Sequence, residues 1–309
     1  MITKAVLDTL YTPIYDEMML MVYDEETQVG PKVFQQIDDK TEEYKTHGIS
    51  GLGRWVSAVE GAGGGYEDPS KGYAKTYTQA KFWKKLQISF EAVDQDEYAI
   101  LKREEDVKAM GAGARDKIEY DQADVLNGGF GVGGESPDGQ YLFDTDHPKN
   151  PDETGTTYDN LLSGPISHDN MELAEKQISD NYKDPKGIPI AYRQNAMILY
   201  PPALKGQMER IFTARATGRP EIDNRDEINR FAGKYDLQEW RYLAADLGGS
   251  DTAWYVIFKG MNLLKTVWSA KPHFTAWVDE DLEFYKFKGR MLYDTGVSGW
   301  RAGFGSTGL

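Results

Sequence analysis

Residues 138–148 read DGQYLFDTDHP, and the interpretation of Asp144, Asp146 and His147 decides between an enzyme and a structural chain. Two carboxylates and an imidazole within four positions carry the donor chemistry of a divalent-cation site or of an acid–base cluster. Such sites draw their groups from several elements, however, and the other histidines, His47, His168 and His273, each stand alone among polar residues. No H-E-x-x-H, no calcium-loop spacing and no G-x-S-x-G occurs. Paired carboxylates for glycoside cleavage are compatible with so acidic a chain, but no pair is singled out. The alternative is that Asp144 and Asp146 form Asx-type turns and satisfy loop backbone donors. We favour that alternative, so no catalytic residue, cofactor or metal is expected. A soluble metal-dependent enzyme using Asp144, Asp146 and His147 is the competing reading.

Working outward, 309 residues with 40% hydrophobic content, seven Trp and nineteen Tyr suffice for a substantial core in one large domain or two joined ones. No apolar run is long enough to span a membrane. The opening MITKAVLDTLYTPIYDEMMLMVYDEE is broken by Asp8, Asp16 and Glu17 and is no signal peptide, and nothing at Met1 leads us to expect an N-terminal cleavage. The absence of cysteine excludes disulfides, thiolate chemistry and zinc ribbons. With 35 basic and 50 acidic residues the net charge is −15, which argues against a sequence-reading nucleic-acid binder. The charge is uneven. Ser70–Phe90 holds five lysines and no acid, whereas Tyr15–Lys45 holds nine acids against three lysines. Such patches either pair between copies in an assembly or are two solvated faces.

The pattern of elements indicates an α+β chain. Residues 1–45 read as an acidic arm with a short helix near its start. Residues 46–93 have hairpin character, with GAGGGYEDPSKG as the breaker-rich tip. Tyr73, Lys75, Tyr77 and Gln79 alternate in its second arm, and Leu86, Ile88 and Phe90 continue the alternation. GAGGG lacks a following Lys-Ser or Lys-Thr and opens no clear helix, so it is not read as a phosphate loop. Residues 94–127 read as the longest helix, roughly 45 Å at 1.5 Å per residue. Val107, Met110, Ala114, Ile118 and Val125 line one stripe of it, and Gly128–Gly129 end it. Gly111 and Gly113 would each cost about 1 kcal/mol there relative to Ala, which suggests close packing. Residues 128–167 read as loop. In 168–250 a helix capped by Ser167 or Asp169 carries Met171, Ala174 and Ile178. A buried strand follows at Ala196–Tyr200, and Pro201–Pro202 open a helix bearing Leu204, Met208 and Ile211. Residues 251–309 are mostly strand, and no repeat is present.

The order of these features resembles the major capsid protein of tailed bacteriophages, specifically the Mu-like major head subunit group. DGQYLFDTDHP is similar to that group's D-G-x-x-L-F-x-x-x-H loop after the long helix. GLGRWVSAV ahead of KFWKKLQISFEAVDQDEY and the closing LYDTGVSGWRAGFGSTG are the other two pieces. The resemblance runs from about residue 45 to the end. It implies the Hong Kong 97 capsid fold: an N-terminal arm over 1–45, an extended hairpin loop over 46–93, a spine helix with its following loop over 94–167 in a peripheral domain, a mainly axial α/β domain over 168–250, and strands of 251–309 returning to the peripheral sheet.

The function so implied is a non-enzymatic shell protein that assembles as hexamers and pentamers around phage double-stranded DNA. It would assemble in the host cytoplasm and reside in the virion, with scaffold, portal and decoration proteins as further partners and no membrane. An encapsulin-like compartment is the alternative within the same fold. Lone aromatics beside lysines suit contact with a neighbouring copy. The expected subunit interface is therefore Arg54, Trp55, Lys71, Tyr73, Lys75, Tyr77, Lys81, Trp83, Lys84 and Lys85, with Trp55, Tyr73, Tyr77 and Trp83 as its exposed aromatics.

Overall fold

Long alternating strands near the C-terminus collect the rest of the chain around them. The computed structural model describes residues 17, 19–21, 23, 28–49, 53–55, 57, 66, 68, 71–91, 99–150, 153–184, 186–190, 196–213 and 229–309. A one-turn helix α1 (Gly30–Val33) leads into β1 (Gln35–Asp38), β2 (Glu43–Ile49), β3 (Lys71–Thr78) and β4 (Ala80–Ser89). The long helix α2 (Ala99–Asn127) follows and ends in a 3-10 turn over Gly128–Phe130. Next come β5 (His147–Asn150), β6 (Glu153–Tyr158), β7 (Leu161–Leu162), α3 (His168–Asn181), β8 (Ala196–Tyr200), α4 (Lys205–Phe212) and β9 (Asp236–Glu239). The chain closes with β10 (Trp254–Phe258), β11 (Leu264–Asp279), β12 (Phe284–Val297) and β13 (Gly303–Ser306).

Two larger sheets result. One runs β1-β11-β12-β4 and the other β7-β13-β10-β8-β9. In the first, Tyr285, Phe287, Gly289, Met291 and Tyr293 alternate toward α2. Met110, Ala114 and Ile118, spaced one turn apart on α2, pack on that face with Phe274 and Trp268. The second sheet is covered on both sides. Met171, Ala174 and Ile178 of α3 and Met208, Ile211 and Phe212 of α4 cover one face. Ala123 and Leu126 of α2 and Phe143 cover the other. Double burial explains why AMILY and WYVIF are unbroken apolar runs rather than alternating ones.

Local signals place most element ends. Ser167 caps α3 by accepting from the Asn170 N–H at 3.1 Å. Pro202–Leu204 forms a 3-10 turn and α4 begins only at Lys205. Gly111 is required, because a Cβ there would lie 2.3 Å from the Met19 carbonyl oxygen. On the same helix the buried Glu119 accepts from the Gly30 N–H at 2.9 Å and from Trp240 Nε1 at 2.6 Å. Burial raises the Glu119 carboxyl, although those hydrogen bonds oppose the shift.

The alternating run of residues 71–90 is two strands with different partners. β3 pairs antiparallel with β2, from Glu43 opposite Thr78 to Ile49 opposite Lys71. β4 instead pairs antiparallel with β12, from Ala80 opposite Tyr293 to Ser89 opposite Phe284. The hairpin read over 46–93 therefore spans β2 and β3 and closes at Thr78, and β4 belongs to the first sheet. Part of the arm read over 1–45 also enters the body. Val29, Val33 and Phe34 join the core beside α2, and β1 pairs parallel with β11. Of the tip GAGGGYEDPSKG, residues 61–65, 67, 69 and 70 lie outside the described residues.

Candidate assembly surfaces

The DGQYLFDTDHP loop is held by a buried network. His147 is fully buried, with Nδ1 2.7 Å from Asp138 Oδ2 and Nε2 3.0 Å from Asn160 Oδ1. Its ring stacks on Trp300 with centroids 4.7 Å apart. Asn160 Nδ2 donates toward the carbonyls of Leu142 (2.8 Å), Gly303 (3.0 Å) and Trp300 (3.2 Å), while its Oδ1 also accepts from the Asp144 N–H at 2.9 Å. The loop is thus fastened to the C-terminal turn and β13. Both imidazole nitrogens face protein oxygens, which leaves neither free for a metal ion. Asp144 makes a local turn, accepting from the Thr145 N–H at 2.7 Å, and Asp146 is exposed. Among the described residues no group of three His, Cys, Asp or Glu could hold a metal. Asp138 and Asn160, the two side chains that complete the network, were not singled out from the sequence. Asp138 and His147 are the first and last positions of the D-G-x-x-L-F-x-x-x-H pattern, a signal that could have paired them, whereas Asn160, in TYDNLLSG, has no spacing that sets it apart.

The expected interface residues do not share one setting. Arg54 and Trp55 are exposed in the connection between β2 and β3, Trp55 fully so, as is Tyr66 beyond it. Lys71 opens β3 opposite Ile49. Tyr73 and Lys75 are half-buried on β3. Tyr77 is a correction: it is fully buried rather than an exposed aromatic. Its hydroxyl lies 2.7 Å from Ser298 Oγ, and a Cβ at Gly296 would lie 3.4 Å from its ring. Burial pushes its phenol well above the ordinary range. The Thr78 N–H donates to Asp294 at 2.9 Å, so Tyr77 and Thr78 bind the hairpin base to β12.

The pleat separates the lysines of β4. Gly289 pairs with Lys84 on the face that packs on α2, and Lys84 Nζ would be 3.7 Å from a Cβ at Gly113. Lys81, Trp83 and Lys85 point to the opposite face. Lys85 stands across from Lys288 and Trp83 across from Arg290, with Lys286 one pleat further along β12. Lys85 Nζ also sits 4.6 Å from the Trp83 ring centroid. This outer face of the first sheet is basic and aromatic on a chain of net charge −15. On the inner side, between β4 and α2, lies a groove of about 250 Å³. Met110, Ala114, Phe274 and Met291 line it together with Lys84 and Lys117, and Lys117 donates to Asp121 at 2.6 Å.

A long helix laid across a sheet of extended strands, with a separate hairpin and a second, doubly covered sheet, is the architecture implied by the capsid resemblance. The family described as phage capsid protein matches residues 72–305. The chain belongs to the phage capsid protein family. No curated protein matches this capsid chain. Among solved structures, the capsid of the cyanophage P-SCSP1u is similar in fold, with TM-score 0.60 and 11% identity over 91% of this chain and 88% of that one. The mature capsid of bacteriophage PhiM1 is similar at TM-score 0.60 and 10% identity, covering 92% and 88%. The procapsid of bacteriophage JBD30 is similar at TM-score 0.52 and 17% identity, covering 99% and 76%. As a capsid protein, the chain is a structural component of the virion. Among its described residues no helix is long and apolar enough to cross a membrane.

Proposed function

We propose that this capsid chain assembles as hexamers and pentamers into an icosahedral shell that encloses double-stranded phage DNA, without catalysis and without a resident metal. The observation that carries the proposal is the hairpin of β2 and β3, whose connection presents a fully exposed Trp55 and Tyr66. Exposed aromatics of that size cost a lone protomer solubility and suit burial in a contact between copies. The outer basic face of β4 and β12, with Lys81, Trp83 and Lys85, supplies a second contact surface whose charge complements the acidic balance of a neighbouring copy. We also propose the Mu-like grouping, the division into arm, hairpin, peripheral and axial parts, assembly in the host cytoplasm, and scaffold, portal and decoration proteins as partners.

Light scattering and negative-stain microscopy of the purified chain, alone and with its scaffold, test the assembly. Closed particles of uniform diameter support it, and a strictly monodisperse monomer under every salt condition refutes it. Nuclease digestion of particles from infected cells tests the cargo. Protected double-stranded DNA is expected, and a protein cargo in its place would favour the encapsulin-like alternative.

A further inference from the structure

A buried carboxylate on α2 joins three stretches that are far apart in the sequence. Glu119 Oε1 accepts from the Gly30 N–H at 2.9 Å and Oε2 from Trp240 Nε1 at 2.6 Å, and the Val29 N–H adds a third donor. Val29 and Gly30 mark the point where the arm enters the body, and Trp240 stands just after β9. Arg115, one turn earlier on α2, acts on the carboxylate through space. The other charged groups on the surrounding elements have partners of their own. Lys32 of α1 donates to Gln238 at 3.2 Å, the Tyr242 hydroxyl donates to Asp116 at 2.7 Å, and Asp121 accepts from Lys117 and Tyr293. From β11 the Thr266 hydroxyl completes the surroundings.

Beside Glu119 one acceptor is orphaned. Gln122, one turn further along α2, donates through Nε2 to Thr266 Oγ1 at 2.8 Å, but its buried Oε1 meets no donor. An acceptor left so is costly. The two side chains converge on Gly30, where a Cβ would lie 1.6 Å from Gln122 Oε1 and 3.3 Å from Glu119 Oε1, so only glycine fits. A carboxylate has no proton to give Gln122, whereas a carboxylic acid has one. A proton on Oε1 turns that oxygen from an acceptor of the Gly30 N–H into a donor toward Gln122 Oε1. Burial favours the neutral acid and raises the carboxyl, against the pull of the three N–H donors. We propose that Glu119 is a proton-operated latch on the arm: ionised, it holds Val29 and Gly30 against α2, and neutral, it bonds Gln122 and lets that entry point open. Val33 and Phe34, buried among apolar side chains, hold the rest of α1 in both states. A raised carboxyl takes up its proton as pH falls through the folded value, which lies above the unfolded value of about 4.3, so the latch opens on the acid side.

Hydrogen exchange of the full-length, unassembled protomer tests the latch, once corrected for the intrinsic dependence of exchange on pH. Protection of the Val29 and Gly30 amides should fall at least tenfold between about pH 8 and about pH 4.3, while that of the β10 amides stays constant. Glu119→Gln, which cannot ionise, should show the weakened protection already at the neutral end and no further fall. The stability of the wild type relative to that variant should rise as pH falls, because only the wild type takes up a proton. Gln122→Met removes the orphaned acceptor and keeps the apolar bulk, so it should move the fall in protection to lower pH. Wild-type protection that is flat with pH overturns the latch, as does an equal fall in Glu119→Gln. A Gln122→Met transition that stays in place or moves up overturns it as well. Should Glu119→Gln fail to fold by circular dichroism, the comparison of the wild type with Gln122→Met decides.

Discussion

Asn160→Ala is expected to be among the most damaging single substitutions outside the apolar core. The side chain is fully buried and bonds five groups: the carbonyls of Leu142, Trp300 and Gly303, the N–H of Asp144 and the ring of His147. Gly303 O keeps a partner, because the Tyr182 hydroxyl donates to it at 2.5 Å. The Trp300 contact is the longest of the carbonyl bonds at 3.2 Å. That leaves the Leu142 carbonyl, the Asp144 N–H and the His147 Nε2 as the groups that lose most. Each buried group left unsatisfied costs about 1–3 kcal/mol, and neighbouring losses are not additive, so a destabilisation of about 3–5 kcal/mol is expected. Asp146→Ala, two residues from the start of DTDHP but exposed, should change stability by less than about 0.5 kcal/mol. Guanidinium unfolding of the unassembled protomer, followed by circular dichroism, reads both variants as midpoint shifts at constant slope. An Asn160→Ala protomer within about 1 kcal/mol of Asp146→Ala would refute the view that this network fastens the loop to the C-terminus.

Four further outcomes are expected. Lys85→Glu turns the Lys85–Lys288 cross-strand pair from repulsive to attractive, so the protomer should gain about 0.2–1 kcal/mol at low salt while shell yield falls; a normal yield would mark the outer face as merely solvated. Gly305→Ala should cost about 1–3 kcal/mol in the same unfolding assay, because its Cβ would lie 2.6 Å from the ring of the fully buried Phe143. Burial raises the Glu175 carboxyl, but hydrogen bonds from Lys234 and Tyr235 outweigh that and hold it below the ordinary range. A depressed carboxyl stabilises above its unfolded value of about 4.3 and loses that contribution as pH falls through the folded value, so the stability curves of wild type and Glu175→Gln should converge in acid. Chelation with EDTA should leave the unfolding midpoint unchanged, and loss of structure restored by calcium or magnesium would contradict the non-metal reading of His147.

Much of the element list was legible in the sequence because it depends on neighbours along the chain. The stripe through Met110, Ala114 and Ile118, the Ser167 cap and the apolar run Ala196–Tyr200 report local periodicity and capping, and the structure places them as read. The fold class followed from their order, and the DGQYLFDTDHP loop carried the resemblance to the capsid family. Partner choice was not local. The alternating run through Tyr73, Lys75, Tyr77, Leu86 and Ile88 shows which side chains share a face, but not that β3 pairs with β2 and β4 with β12. The same limit explains Tyr77, which alternation left on a face that only Ser298, far along the chain, reveals to be covered. It also explains Lys84, which lies one pleat out of phase with Lys81 and Lys85 and so lines the groove beside α2. Asp138, His147 and Asn160 meet Trp300 and Gly303 only once the loop and the C-terminus are brought together. Periodicity encodes the sides of an element, whereas the burial of each side and the partner of each polar atom depend on contacts across hundreds of residues, which tertiary packing alone decides.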